Sequence, residues 1–469
     1  MFHVGLDQIK EQAGKGTHLV LRLEISSDVE TPISLYHKLC HGEAYSFLLE
    51  SAEQDARMGR YSFIGLDPVK VVRFEQDGED NPLNVMSDIM ERIDLVEDGM
   101  AGFDSGFVGY LGYETIRHFE KISMPEQRSA VDIPEGLFSL PRILIRFDHV
   151  GRVINLNYLL DLSGDLDIAY GDAISAVENL LAKLETPCAI PFLRKSEPGK
   201  ETRVIPEQEV YFDSVKQAKA HIEAGDVFQL VLSQSMQVES TEDSFMLYRR
   251  LRQANPSPYM YFLQFEDFEV VGASPETLVR FEAGEMLVRP IAGTRRRGKT
   301  QEEDQALEAE LLADPKELAE HKMLVDLGRN DVGRVCELGS VRAENVMHVQ
   351  RFSSVMHLVS DVMGQVRSEF SMFDVFRAAF PAGTLTGAPK IRACELISRL
   401  EGRRRGLYGG AVGYFGLRGS MDFAIAIRTM VVKNRTVHAQ AGAGVVYDSI
   451  PENEHRECHH KAQSCLSIV

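Results

Sequence analysis

Short runs of apolar residues broken by single polar ones mark the first third of the chain: HLVLRLEI at 18–25, AYSFLLES at 44–51 and RILIRFDHVGRVINLNYLL at 142–160. Such a period of about two predicts strands, the last run being a hairpin that turns at Asp148 to Gly151. From residue 210 onward strand and helix patterns interleave. DFAIAIRTMVVKNRTVHAQAGAGVVY, at 422–447, predicts two adjacent strands joined by a tight turn at Asn434 and Arg435, a connection short enough to force antiparallel neighbours. Within DFAIAIRTM, alternation assigns Phe423, Ile425 and Ile427 to one face and Ala424, Ala426 and Arg428 to the other. The arginine ends a strip of small side chains, where either a neighbouring element or a ligand packs closely. Sheets with helices grouped on them, an α+β class, fit these patterns better than a regular βαβ alternation.

Two helices stand out by their acids. Asp314 as N-cap and Pro315 at the first position open one helix, which carries Glu317 and Glu320. Near the C-terminus, Ser449, Pro451 and Glu452 predict a capping box, followed by Glu454 and Glu457 and, a turn later, Lys461. A spacing of three puts each glutamate pair on one helix face. In a chain with 70 acidic residues one such pair is ordinary. Here, however, apolar residues continue both helices (Leu318, Leu324 and Leu327; Cys458 and Cys465), so the pairs lie near packed surface. Carboxylates facing one another there repel unless a cation separates them, and oxygen-only ligands with room for water suit Mg²⁺. Zinc on Cys458, His459 and His460 is the poorer reading, because consecutive helical residues point about 100° apart.

Composition narrows the classes. With 469 residues, 44% of them hydrophobic and 26% charged, the chain is ordinary globular material, enough for several domains or one large two-layer unit. A net charge of −19 argues against nucleic acid; the runs Arg295–Arg297 and Arg403–Arg405 read as solvated loop charges. Six cysteines without C-x-x-C spacing and an N-terminus without an apolar core point to a reducing cytoplasm, and no stretch is long and apolar enough for a membrane. Residues 186–209, with four prolines and mixed charge, read as a linker between 1–185 and 210–469. FPAGTLTGAPKIRACELI, at 380–397, runs from a glycine-rich turn into a helix, a setting that favours an anion although it lacks phosphate-loop spacing. Together with the glycine-rich YGGAVGYFG and QAGAGVVYD, these features sketch a pocket with a metal at one end and anion-holding groups at the other.

RPIAGTRRRG, DPKELAEHKMLVDLGRNDVGRV, VMHLVSDVMGQV, PAGTLTGAPKIRACELI, YGGAVGYFG and QAGAGVVYDSIPENEHREC occur in the order found in the chorismate-utilising enzymes. The resemblance runs through most of 210–469 and is closest to the anthranilate synthase component I branch. It implies a large antiparallel β-sandwich with helices packed outside, Mg²⁺ held directly by Glu320 and Glu457, and Glu317 and Glu454 acting through water. It implies that Arg428, Tyr408, Lys461 and the Gly442, Ala443, Gly444 backbone hold chorismate, with Gln229, Ala292, Gly293 and Thr294 also at the substrate, Thr384 lining the site and His357 assisting proton transfer. LLESAEQDARMGRYSFIG, GFVGYLGYE and NPSPYMYFL look like the family's tryptophan-sensing half, which implies an effector site at Leu49, Glu50, Ser51, Pro258, Tyr259 and Met260.

Two positions separate the sibling enzymes. Aminodeoxychorismate synthases typically carry a nucleophilic lysine where this chain has Ala292, and isochorismate-forming relatives a basic lysine where it has Gln229; neither residue present can do that work. Addition of ammonia, the anthranilate branch, remains. No cysteine sits in a G-x-C-x-G turn, so a separate glutamine amidotransferase subunit is expected to supply the ammonia. The alternatives are an aminodeoxychorismate synthase, a 2-amino-2-deoxyisochorismate synthase that retains pyruvate, and a non-catalytic amino-acid sensor.

Overall fold

The computed structural model describes residues 2–52, 59–99, 102–193, 201–351 and 355–469. Parts of the expected sensing motif (53–58) and of the expected linker (194–200) lie outside the described residues.

Among the described residues every strand ladder is antiparallel, and the ladders join into two facing layers. One layer runs, neighbour to neighbour, through Thr436–Val445, Thr429–Lys433, Glu269–Ser274, Tyr259–Gln264 and Ser46–Glu50. The long strands Tyr61–Phe74 and Gly136–Asp148 carry the hydrogen bonding round to the other layer, Gly106–Leu111, Ala411–Gly416, Met421–Ile425 and Thr277–Glu282. Between the layers lies an interior of Phe47, Val108, Tyr110, Leu144, Tyr261, Val270, Val412 and Ala424. Alternate residues of the same strands, such as Leu48, Phe262 and Val271 on one side and Phe107, Leu111 and Phe423 on the other, point outward into two further apolar clusters that helices cover. Strands buried on both faces have no polar side to display, which is why runs like YMYFL lack alternation. This is the α+β sandwich with outer helices.

The strands of 1–185 and 210–469 are laced together at Ser46–Glu50 against Tyr259–Gln264 and at Gly106–Leu111 against Ala411–Gly416. Within the described part of the expected linker, Arg203–Ile205 adds a strand to the Gln229–Glu239 edge, and a helix starts at Gln208. The hairpin at Asp148 is present, with Asp148 Oδ1 accepting from the amides of Val150 and Gly151 at 3.0 and 2.8 Å. Asn434 and Arg435 form the expected tight turn, both at positive φ as a two-residue hairpin of this hand requires.

Three local expectations are corrected. DFAIAIRTM is not one strand: Met421–Ile425 ends, residues 426–428 turn, and Thr429–Lys433 joins the other layer, with Arg428 at φ 49° making the break. The facial assignment survives in part, since Phe423 and Ile425 enter an outer cluster and Ala424 and Ala426 the interior. Ser449 does not cap the last helix. Its hydroxyl accepts from the amide of Val446 at 3.0 Å, closing the turn that leaves the strand, while Ile450 is the N-cap of Pro451–Leu466 and Glu452 is exposed. Finally, the arginine runs are not free loop charges. Arg295 pairs with Glu310, Asp314 and Glu317, Arg296 with Glu303, Arg297 with Asp304, and Arg405 is 3% exposed.

Candidate active site

A cavity of about 730 Å³ opens between the helices Pro315–Gly333 and Pro451–Leu466 and the strand ends they cover. It collects nearly the whole expected set: Glu317, Glu320, Glu454 and Glu457 from the helices; Gln229, Ala292, Gly293, Thr294 and His357 from strands; Thr384, Tyr408 and Arg428 from turns; and Gly442, Gly444 and Lys461. Ala443 is the exception. Alternation turns its methyl away from the cavity and into the outer core, where it is fully buried.

The small residues of Thr436–Val445 have a steric reason. A Cβ on Gly442 would stand 2.6 Å from Tyr408 Oη, and one on Gly444 2.9 Å from Gln229 Nε2, so the glycines let both polar side chains lie across the strand. On the opposite wall a register shift between Ala292 and Thr294 makes Gly293 a bulge, which sets Thr294 opposite His357. His357 Nδ1 lies 3.0 Å from Gly293 O and 3.0 Å from Thr294 Oγ1. A carbonyl only accepts, so Nδ1 carries the proton and Nε2 the lone pair. Burial holds the ring neutral, with its pKa down to about 4, helped by the charges of Arg428 and Lys461.

The acidic wall is electrostatically strained. Burial, and next Glu317, raise the pKa of Glu320; burial and Glu457 raise that of Glu454. Internal cations answer two of the four: Arg295 Nη1 lies 3.4 Å from Glu317 Oε1, and Lys461 Nζ lies 2.7 Å from Glu457 Oε1 while donating to Gly442 O at 3.0 Å. Among the described residues no group of three or more acidic, imidazole or thiol side chains is drawn tightly enough together to form a metal cluster by itself. The structure brings the four carboxylates to one cavity. Across it, Arg428 has no hydrogen-bonded or ion-paired partner for its guanidinium among the described residues, and burial lowers its pKa. A half-buried guanidinium that faces a cavity without an ion-pair partner is suited to hold a carboxylate.

Sequence reasoning missed Glu276. It is buried in the same cavity, accepts from Thr384 Oγ1 at 2.8 Å, and burial lifts its pKa to about 8 against the opposing pull of that hydroxyl, Arg428 and Lys461. At neutral pH it is a carboxylic acid, able to donate a proton. Its one signal was a lone acid in the otherwise apolar VVGASPETLV.

A second cavity, of about 310 Å³, is lined by all six expected effector residues, Leu49, Glu50, Ser51, Pro258, Tyr259 and Met260. Its aromatic wall includes Phe103 stacked on Tyr414 with centroids 3.9 Å apart, and Tyr259 Oη donates to the half-buried Asp422 at 2.7 Å. Tyr248 and Arg252 hold Glu50 at 2.6 and 2.9 Å. The two cavities share elements: Thr277–Glu282 follows Glu276 and carries Arg280, and Ala411–Gly416 follows Tyr408 and carries Tyr414.

An acid-lined and guanidinium-lined pocket on a sandwich of this kind defines a class. The profile of the chorismate binding enzyme family matches residues 44–467, and the chain belongs to that family. It is 40% identical over 491 residues to anthranilate synthase component 1 of Acetivibrio thermocellus, covering 100% of this chain and 99% of that one. It is 42% identical to the component 1 of Synechocystis sp. over 504 residues, covering 100% and 99%. Among solved structures it resembles anthranilate synthase component I from Streptococcus pneumoniae, with a TM-score of 0.79, 36% identity and coverage of 94% and 98%. The menaquinone-specific isochorismate synthase of Escherichia coli shares the fold at a TM-score of 0.73 and 19% identity, covering 99% and 98%.

Proposed function

We propose that this chain is the ammonia-using large subunit of an anthranilate synthase, converting chorismate and ammonia to anthranilate and pyruvate as a step toward tryptophan. The carrying observation is the polarity of the cavity: a half-buried Arg428 without an ion-pair partner among the described residues on one side, four carboxylates on the other, and the neutral acid Glu276 and neutral base His357 between the strands. Arg428 and Tyr408 would orient chorismate by its carboxylates. Glu276 would protonate the 4-hydroxyl as it leaves while ammonia adds at ring carbon 2. His357, its lone pair at Nε2, would move the proton when the enolpyruvyl group departs as pyruvate and the ring becomes aromatic. Ala292 and Gln229 offer neither nucleophile nor base that would divert the intermediate to water or to an enzyme amine.

The acidic wall fits a divalent cation. All its donors are carboxylate oxygens, and the mutual repulsion of Glu320 and Glu454 with their neighbours is what such an ion relieves. Glu320 and Glu457 would hold Mg²⁺ directly, with Glu317 and Glu454 through water. When bound, the ion would supply Lewis-acid stabilisation of the ring carboxylate. A separate glutamine amidotransferase subunit is the proposed ammonia source, tryptophan the proposed ligand of the second cavity, and a reducing cytoplasm suits the six free thiols.

One experiment tests the reading: the purified chain with chorismate, Mg²⁺ and ammonium, followed by anthranilate fluorescence and by lactate-dehydrogenase detection of pyruvate. Both signals should rise together, vanish with chelator, fall with millimolar tryptophan, and stay absent when glutamine replaces ammonium. Amine product without pyruvate, or no turnover, would overturn it.

A further inference from the structure

Behind the cavity wall lies a side chain from one of the arginine runs. Arg405 sits where several elements meet, and its guanidinium contacts three residues that line the cavity, Val231, Leu385 and Tyr408. Nη1 donates to Leu385 O at 2.8 Å and Nη2 to Val231 O at 2.8 Å, and both residues line the cavity. Nε and Nη2 hold Glu401 in a fork at 2.9 and 2.8 Å. Glu401 Oε1 in turn accepts from the amide and the hydroxyl of Ser233, both at 2.8 Å, on the same strand as Val231 and Gln229. The guanidinium also lies against the rings of Tyr113 and Tyr408, 4.6 and 5.5 Å from their centroids. Its backbone is fixed as well: Glu114, from the N-terminal part of the chain, accepts from the amides of Arg405 and Gly406 at 2.6 and 2.9 Å.

We propose that Arg405 is a positioning residue for chorismate: its planar fork pins the Gly383–Leu385 turn, the start of the Gln229–Glu239 strand and the Tyr408 ring in one mutual arrangement. The inference rests on the cavity being a chorismate site. Geometry makes the role specific to a guanidinium. Two carbonyls, a carboxylate and an aromatic face are addressed at once by donors in a rigid plane, and a lysine ammonium at the same place has three donors on a flexible stem. With the clamp loosened, the Tyr408 hydroxyl no longer sits squarely over Gly442, the close approach that its missing side chain permits. Substrate would then be bound in a broader set of poses, a loss felt first in KM.

The test is Arg405→Lys, with Glu401→Gln as a second variant that leaves the arginine in place, each assayed with chorismate and ammonium beside the wild type and melted in parallel. Arg405→Lys should raise KM for chorismate about tenfold with kcat changed less than about threefold, and Glu401→Gln should do the same more weakly. In a cycle with Tyr408→Phe the two KM effects should be less than additive, because one acts through the other. A lower Tm with an unchanged KM, or additive effects in the cycle, would reduce Arg405 to a stabilising core residue and overturn the inference while leaving the functional reading intact. A wild type inactive on chorismate would overturn both.

Discussion

At the scale of single residues, burial keeps two groups of the cavity, Glu276 and His357, in their neutral forms. Glu276 faces Thr384 Oγ1, the backbone amide of Ile291 and, further off, Arg428 and Lys461, all of which favour its carboxylate, yet burial outweighs them and places its pKa at about 8. Its acid form is therefore present at neutral pH and is lost as pH rises through that value. If it is the proton donor to the leaving hydroxyl, kcat should fall above about pH 8 once rates are expressed per free ammonia, whose own supply grows over the same range. Glu276→Gln keeps the size and removes the proton, so it should lower kcat by about a hundredfold or more and abolish that alkaline limb, with KM nearly unchanged. Stopped assays of anthranilate from pH 6 to about 9.5 would decide it. A Gln variant that keeps the limb would assign the ionisation elsewhere.

At the scale of elements, sequence and structure agree where local chemistry decides and part where contacts distant in sequence do. The Asp314 cap and the Asn434–Arg435 turn were legible because each is a contract among a few neighbouring residues. Strands such as Tyr259–Gln264 showed no alternation because both faces are buried, and only the second layer and the helices outside explain that. Ser449 had the pattern of a cap but was drawn to Val446, and Arg428 broke a strand that its periodicity would have continued, so the guanidinium reaches the cavity from a turn. Glu276 had only the weak signal of a lone acid in an apolar run and Arg405 none, since an acid after a proline and one arginine among three say little until folding surrounds them. The cap itself yields a prediction. Asp314 accepts from the amides of Lys316 and Glu317 at 3.0 and 3.3 Å and pairs with Arg295 at 2.7 Å, the arginine that also reaches Glu317. Asp314→Ala should cost about 1 kcal/mol of stability through the cap. It should also weaken Mn²⁺ binding, read by calorimetry without substrate, by several fold, because Glu317 loses both its amide anchor and the sharing of its counter-ion. Unchanged Mn²⁺ affinity in a destabilised variant would confine Asp314 to capping.

At the scale of the molecule, the two parts of the chain form one folding unit. Ser46–Glu50 completes the hydrogen bonding of Tyr259–Gln264, and Gly106–Leu111 that of Ala411–Gly416; Ser46–Glu50, Tyr259–Gln264 and Ala411–Gly416 also line the second cavity. The interior between the layers draws Phe47, Val108, Tyr110, Leu137 and Leu144 from one part, and Tyr261, Val270 and Val412 from the other. Each such side chain is worth about 1.5–3 kcal/mol when fully buried, so removing the first five takes away an amount comparable to a domain's whole net stability. It also uncovers two apolar strand edges, the standard route to aggregation. A fragment comprising 210–469 holds every residue of the chorismate cavity, yet it should be recovered insoluble, and the intact chain should unfold in one calorimetric transition whose midpoint rises when tryptophan is added. The same lacing offers a route for the proposed coupling between the cavities. If the second cavity takes the proposed effector, a ligand pressed against Tyr414 and Arg280 would act on strands whose other ends adjoin Tyr408 and Glu276. Two resolved transitions, or a soluble 210–469 fragment that turns over chorismate, would contradict this unity.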